Sequence, residues 1–255
     1  MFAAGRLEKV RELLQEHKKI DVLTLVRALD VSEATVRRDL EKLEEEKFLV
    51  RTHGGAVLVE QEQGKAVAEI ELSEEKKQIA EYAANLVNNN EIIYVGGGST
   101  CLQFALALKE KKDVTIVTSN LWAAVDLAGL PNLNVMVTGG AVWYRESSIS
   151  TVGEFAYHML ENIFVDKVFL GADGVDLKFG FSYTSPDQVN ISKKAMKMSD
   201  QVILMCDHSK FGRKALSSLC PLTSVSMVVT NQNVPPEYKS FFFDNNIPII
   251  TNYDF

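Results

Sequence analysis

Val31-Ser-Glu-Ala-Thr-Val-Arg-Arg-Asp-Leu40, followed by Leu49-Val-Arg-Thr-His-Gly-Gly-Ala56, decides how this chain is read. Ser32 is a strong N-cap residue, because its hydroxyl can accept an amide of the first helical turn. Val36, Leu40 and Leu43 follow at i, i+4 and i+7, which predicts a helix over Glu33–Glu46 with one apolar face. Upstream, Asp21 caps a second predicted helix carrying Leu23, Leu25, Val26 and Leu29. Leu7, Val10, Leu13 and Leu14 predict a first helix over Gly5–His17. Downstream, Phe48–Arg51 reads as a strand, Thr52–Ala56 as a turn and Val57–Val59 as a return strand. The double glycine suits that turn, since glycine tolerates positive φ. Two helices, a tight turn, a capped helix and a β-hairpin make a winged helix-turn-helix.

Such a module lays the start of its last helix in the major groove, which is about 12 Å wide. Glu33, Ala34, Thr35 and Arg38 are the candidate base readers. Arg37, Arg51 and the Ser32 hydroxyl are candidate phosphate contacts. His53 and the Gly54-Gly55 backbone are placed to approach DNA at the wing. Asp39 is expected to pair with a neighbouring arginine instead of touching DNA.

The chain has 255 residues, 46% hydrophobic and 24% charged, which excludes a disordered chain, a collagen-like repeat and a coiled-coil rod. No apolar run approaches a membrane span, and the N-terminus has no secretory pattern. Cys101, Cys206 and Cys220 are odd in number and widely spaced, so neither a disulfide framework nor a zinc site is expected. The expectation is a reduced, cytoplasmic protein with no membrane partner, no metal and no cofactor. A net charge of −7 argues against DNA at first sight. However, Met1–Val57 holds 11 Lys or Arg and 11 Asp or Glu, so the whole deficit lies after it.

Glu60–Lys65 is polar and aperiodic and reads as a boundary. The expected division is a DNA-binding domain over 1–58, a linker over 59–72 and a sensor domain over 73–255. Beyond Ser73 the pattern alternates. Strands are expected near 91–95, 114–118, 134–138, 167–170, 201–206, 226–229 and 247–251, with helices between most of them. That is α/β: a Rossmann-like, mostly parallel sheet with helices on both faces. Ligands of such sheets bind beyond the carboxyl ends of the strands. The loops there are Gly96-Gly-Gly-Ser-Thr100, Thr118-Ser-Asn120, Gly139-Gly140, Gly171-Ala-Asp-Gly174 and Cys206-Asp-His-Ser-Lys-Phe-Gly212. The first lets backbone approach a ligand closely, and Ser99, Thr100 and the first helical amides can hold an anion. The candidate pocket residues are Gly96, Gly97, Gly98, Ser99, Thr100, Thr118, Ser119, Asn120, Gly139, Gly140, Asp173, Asp207 and Lys210. Together they favour a small, polar, anionic ligand.

Both halves resemble one family. The 31–40 and 49–56 strings resemble the DeoR family of bacterial transcription regulators, with Val36 where the family pattern has Ile. The loops at 96–100, 118–120 and 139–140, with Gly153, Gly171-Ala-Asp173 and Asp207-x-Ser-Lys-Phe211, resemble that family's sensor domain, which is similar in fold to ribose-5-phosphate isomerase. The resemblance implies a repressor in a homo-oligomer, double-stranded operator DNA as one partner and a phosphorylated sugar as effector. It implies that Gly98, Ser99 and Thr100 hold the phosphate with Thr118 and Ser119. Asp173, Asp207 and Lys210 would then address the sugar or the phosphate. Val95 stands where many members carry Asp, and Asp187 is the candidate substitute for a glutamate common in the helix before Met196. The alternative is a sugar-phosphate isomerase-like enzyme with an appended DNA-binding module. The attached helix-turn-helix and an incomplete acid/base set weigh against it.

Overall fold

A computed structural model describes residues 3–17, 19–45, 48–52, 54–58, 73–145 and 148–251. It divides into two compact units, Met1–Glu69 and Ile70–Phe255. The expected linker at 59–72, His53 and the end of the return strand at Val59 lie outside the described residues.

The first unit runs α1 (Ala3–His17), β1 (Lys19–Asp21), α2 (Val22–Leu29), α3 (Glu33–Glu45), β2 (Leu49–Thr52) and β3 (Gly55–Leu58). Asp21 caps α2, its Oδ1 accepting the Thr24 amide at 2.9 Å. Asp30 turns the chain in the left-handed region at φ 52°, a conformation Asp tolerates better than most residues. Val36, Leu40 and Leu43 of α3 are buried against Val10, Leu14 and Leu25. The wing is larger than expected. It is a three-stranded antiparallel sheet in the order β1-β3-β2, with Ile20 opposite Ala56. This revises the role of Gly55, which does not sit at positive φ. A Cβ there would lie 2.2 Å from the Ile20 carbonyl oxygen, so glycine lets β1 pack against the wing.

The second unit contains, in order, α4 (Glu74–Asn85), β4 (Ile92–Val95), α5 (Ser99–Ala107), β5 (Val114–Thr118), α6 (Leu121–Leu127) and β6 (Leu133–Val137). Then follow β7 (Ala141–Arg145), β8 (Ser148–Val152), α7 (Glu154–Met159), β9 (Lys167–Leu170), β10 (Gly174–Asp176) and β11 (Gly180–Tyr183). The rest is α8 (Pro186–Ala195), β12 (Val202–Met205), β13 (Ser217–Cys220), β14 (Met227–Val229), α9 (Pro236–Asp244) and β15 (Ile249–Ile250).

Seven strands make one parallel sheet in the order β15-β14-β12-β9-β4-β5-β6. Its central strands are short Val/Ile runs with buried side chains, such as Ile93, Tyr94 and Val95, as a two-sided parallel sheet requires. The chain builds outward from β4 through β5 to β6, then returns to β9 on the other side of β4 and builds outward again. The point of reversal is therefore between β4 and β9, where an open α/β sheet leaves a crevice at its carboxyl edge. Two antiparallel additions were not expected: the hairpin β7-β8 and the sheet β10-β11-β13.

Candidate functional site

In the first unit, α3 presents Glu33, Ala34, Arg37 and Arg38 to solvent, while Val36, Asp39 and Leu40 face the core. Ser32 Oγ accepts the Thr35 amide at 3.4 Å and lies 2.9 Å from Thr35 Oγ1, so the two hydroxyls pair at the helix start. Arg37 pairs with Glu33 at 2.6 Å, one turn back on the same helix. Arg51 reaches from the wing to Glu41 at 2.8 Å and Glu44 at 3.1 Å. Arg38 is exposed and makes no ion pair among the described residues. Asp39 pairs not with its neighbours but with Arg6, whose Nη2 donates to Oδ1 at 3.1 Å. Gly54 is exposed, and its carbonyl accepts the Val22 amide at 2.9 Å. Ser32, Glu33, Ala34, Thr35, Arg37, Arg38, Arg51 and Gly54 thus belong to α3, its cap and the wing.

In the second unit, a cavity of about 230 Å³ opens at the β4/β9 reversal. Gly97, Gly98, Ser99 and Thr100 line it from the loop after β4, Asp173 from the loop after β9, and Lys210 from the loop after β12. Gly98 precedes α5 with φ 101°, which non-glycine residues avoid. That turn aims the first amides of α5 at the cavity, where the helix dipole favours an anion. The Gly98 amide itself donates to Ser148 Oγ at 2.9 Å, and its carbonyl accepts Asn120 Nδ2 at 3.2 Å.

The other candidates lie behind this wall. Thr118 Oγ1 donates to the Val95 carbonyl at 2.7 Å, Tyr94 bonds Ser119 at 3.4 Å, and Asn120 caps α6. All three are buried, and neither they nor Gly96, Gly139, Gly140 or Asp207 are lining residues. For the loops after β5 and β6 the reason is strand order: they stand one and two places from the reversal, and the β5 loop braces the glycine loop through Asn120. Asp207 caps a short 3-10 turn through Ser209. Burial pushes its carboxyl up, but the Ser209 bonds and the Lys210 and Lys76 charges outweigh this and hold it below the usual range.

Several lining residues had no sequence signal. Lys76, in the first turn of α4, donates to Ser99 Oγ at 3.1 Å beside the α5 N-terminus. Burial pulls its pKa down, opposed by the charge of Asp207. Arg145, from β7, pairs with Asp173 at 3.0 Å, and the other Asp173 oxygen accepts the Thr184 amide at 2.8 Å. Trp143, Tyr183 and Gln188 complete the wall. Gln188 also corrects an expectation. Asp187 is exposed, and its neighbour, an amide and not a carboxylate, faces the cavity. Cys101 lines the wall too, but burial pushes its thiol up to about 12, which makes it inert at neutral pH. Among the described residues, three cationic side chains, Lys76, Arg145 and Lys210, therefore line the cavity with one carboxylate, Asp173.

A winged helix-turn-helix in one chain with a Rossmann-like unit carrying a cationic cavity is the build of a ligand-responsive transcription regulator. Residues 6–62 match the DeoR-like helix-turn-helix domain, and residues 71–232 match the DeoR C terminal sensor domain. The chain is 34% identical to the HTH-type transcriptional regulator YulB of Bacillus subtilis (strain 168), over 98% of its own length and 96% of that protein. It is 30% identical to the transcriptional repressor AccR of Agrobacterium fabrum, over 89% of this chain and 88% of that one. Ribose 5-phosphate isomerase A from Neisseria gonorrhoeae aligns over 53% of this chain and 52% of its own, at 22% identity and TM-score 0.38. This chain belongs to the DeoR family of DNA-binding transcriptional regulators. No helix among the described residues is long and apolar enough to cross a membrane.

Proposed function

We propose that this regulator represses a carbohydrate-metabolism operon, and that a phosphorylated sugar in the second-unit cavity loosens its hold on operator DNA. It acts as a homo-oligomer in the cytoplasm, with a DNA-binding domain over 1–58, a linker over 59–72 and a sensor domain over 73–255. The observation that carries the reading is the cationic end of the cavity. There Lys76, Ser99 and the start of α5 converge, with Lys210 also on the cavity wall. A phosphate suits that end, and Asp173, Arg145 and Gln188 offer donors and acceptors to sugar hydroxyls. The name of the relative AccR supports the repressor sign. Palindromic half-sites match a two-fold protein, which supports the oligomer.

We read no catalytic role into the cavity. Isomerisation needs a free carboxylate beside the reacting C–H bond. Among the described residues, Asp173 is the carboxylate lining the cavity, and it is held by Arg145 and by the Thr184 amide.

A thermal-shift screen against pentose and hexose phosphates tests the proposal. The matching phosphate raises the Tm and its unphosphorylated sugar does not, because only a ligand of the folded state stabilises it. Lys210→Ala abolishes that shift while operator binding persists. Arg38→Ala does the reverse. No shift with any sugar phosphate, or an unchanged shift in Lys210→Ala, would remove the cavity from the mechanism.

A further inference from the structure

Ion pairing on the DNA-contact face is uneven, and the partners are all glutamates of α3. Glu33 holds Arg37, and Glu41 and Glu44 hold Arg51. Glu44 grips twice: Oε2 pairs with the guanidinium and Oε1 accepts the Arg51 backbone amide at 3.0 Å. The groove beside this cluster is lined by Arg37, Leu40, Glu44, Arg51, Thr52 and Gly55, so the pairs lie between α3 and the wing. A duplex seated on α3 and the wing brings phosphates to these same guanidiniums.

We propose that Glu41 and Glu44 are an electrostatic clamp on Arg51 that suppresses sequence-independent binding to duplex DNA. The proposal rests on the reading of α3 and the wing as the DNA-contact face. A phosphate that takes Arg51 must first displace two carboxylates at hydrogen-bond distance. Random DNA gains little from that exchange. An operator offers more, because bases read by the exposed Arg38 hold the helix in register while the exchange occurs. The glutamates thus subtract from every complex but change the ratio between right and wrong sequences. Glu33 is set aside as a test position, since it is also a candidate base reader.

The test measures binding of the full chain to a random-sequence duplex at several salt concentrations. Glu41→Gln with Glu44→Gln keeps the size of both side chains and releases Arg51. The matched control is Glu8→Gln with Glu45→Gln, which removes the same charge from exposed residues that make no ion pair among the described residues. The released variant should bind random duplex about tenfold more tightly. Its log K against log salt should steepen by about 0.9 for each Arg51 that gains a phosphate contact. The control should gain less than about threefold. Adding Arg51→Ala to the released variant should cancel the gain. Glu41→Gln alone leaves the backbone bond of Arg51 intact and should give part of the gain, which covers a folding defect in the double variant.

An equal gain in the control means that net charge alone is at work, and overturns the clamp. Weaker binding of the released variant means that the glutamates position Arg51 for DNA, and also overturns it. If Arg38→Ala lowers operator affinity while the released variant gains nothing, the clamp fails and the DNA-contact face stands. If Arg38→Ala is also without effect, the face itself is wrong.

Discussion

At the scale of single residues, charges at and behind the cavity wall are held against the cost of burial. Lys76 carries a charge in a half-buried position, where desolvation disfavours it. Asp207 is 4% exposed and stays ionised only because Ser209, Lys210 and Lys76 compensate its burial. Those compensations have a sign in pH. A carboxylate with a depressed folded pKa stabilises the fold above its unfolded pKa, and the contribution is lost as pH falls through the folded value. Asp207→Asn keeps an oxygen to accept the Ser209 amide but loses the charge. It should cost about 1–2 kcal/mol at neutral pH. The difference from the unsubstituted chain should shrink as the pH drops below about 3.9, the ordinary carboxylate value. Urea unfolding at neutral and acid pH measures both. A gap that does not change with pH would assign the role of Asp207 to its hydrogen bond alone.

At the scale of elements, one ion pair ties α1 to α3 across 33 residues of chain, and the sequence points elsewhere for its partner. Asp39 has Arg37 and Arg38 beside it, yet helical geometry turns those outward and turns Asp39 inward to Arg6. With side-chain exposures of 14% and 9%, the pair is part-buried. Arg6→Ala leaves the Asp39 carboxylate without its partner and should lower the urea midpoint followed by circular dichroism. An unchanged midpoint would class it with screened surface pairs. The same contrast explains what the sequence revealed. Parallel strands were legible because a mostly buried strand is written as a short run of β-branched and aromatic residues, as in Ile92–Val95 and Val114–Thr118. The hairpin β7-β8 was not, because its pattern is inverted. Val142 and Tyr144 are exposed, whereas Ser148 and Ser150 are buried and bonded to each other. Lys76 and Arg145 were invisible for a related reason. They reach the cavity from elements whose neighbours are fixed by strand order, which no spacing encodes. Ser99 and Thr100 were found because their loop is itself the first turn of a helix, a local feature.

At the scale of the whole molecule, charge is divided by task. The −7 belongs to the residues after Val57, and the DNA-binding segment before it is neutral. Affinity for DNA must then come from where the arginines stand, not from bulk charge. The proposed function makes a quantitative demand: its two ligands must be coupled. If a sugar phosphate lowers operator affinity by some factor, thermodynamic linkage requires operator DNA to lower sugar-phosphate affinity by the same factor. Coupling of this kind commonly spans about 5- to 150-fold. Calorimetric titration of the sugar phosphate into the free regulator, and into its saturated operator complex, should give two Kd values in that ratio. Operator titrations with and without the sugar phosphate should return the same number. Lys210→Ala should abolish both differences, and Arg38→Ala should leave sugar-phosphate binding to the free protein unchanged. Equal sugar-phosphate affinities with and without operator would mean that the cavity does not control the DNA-binding module, whatever it binds.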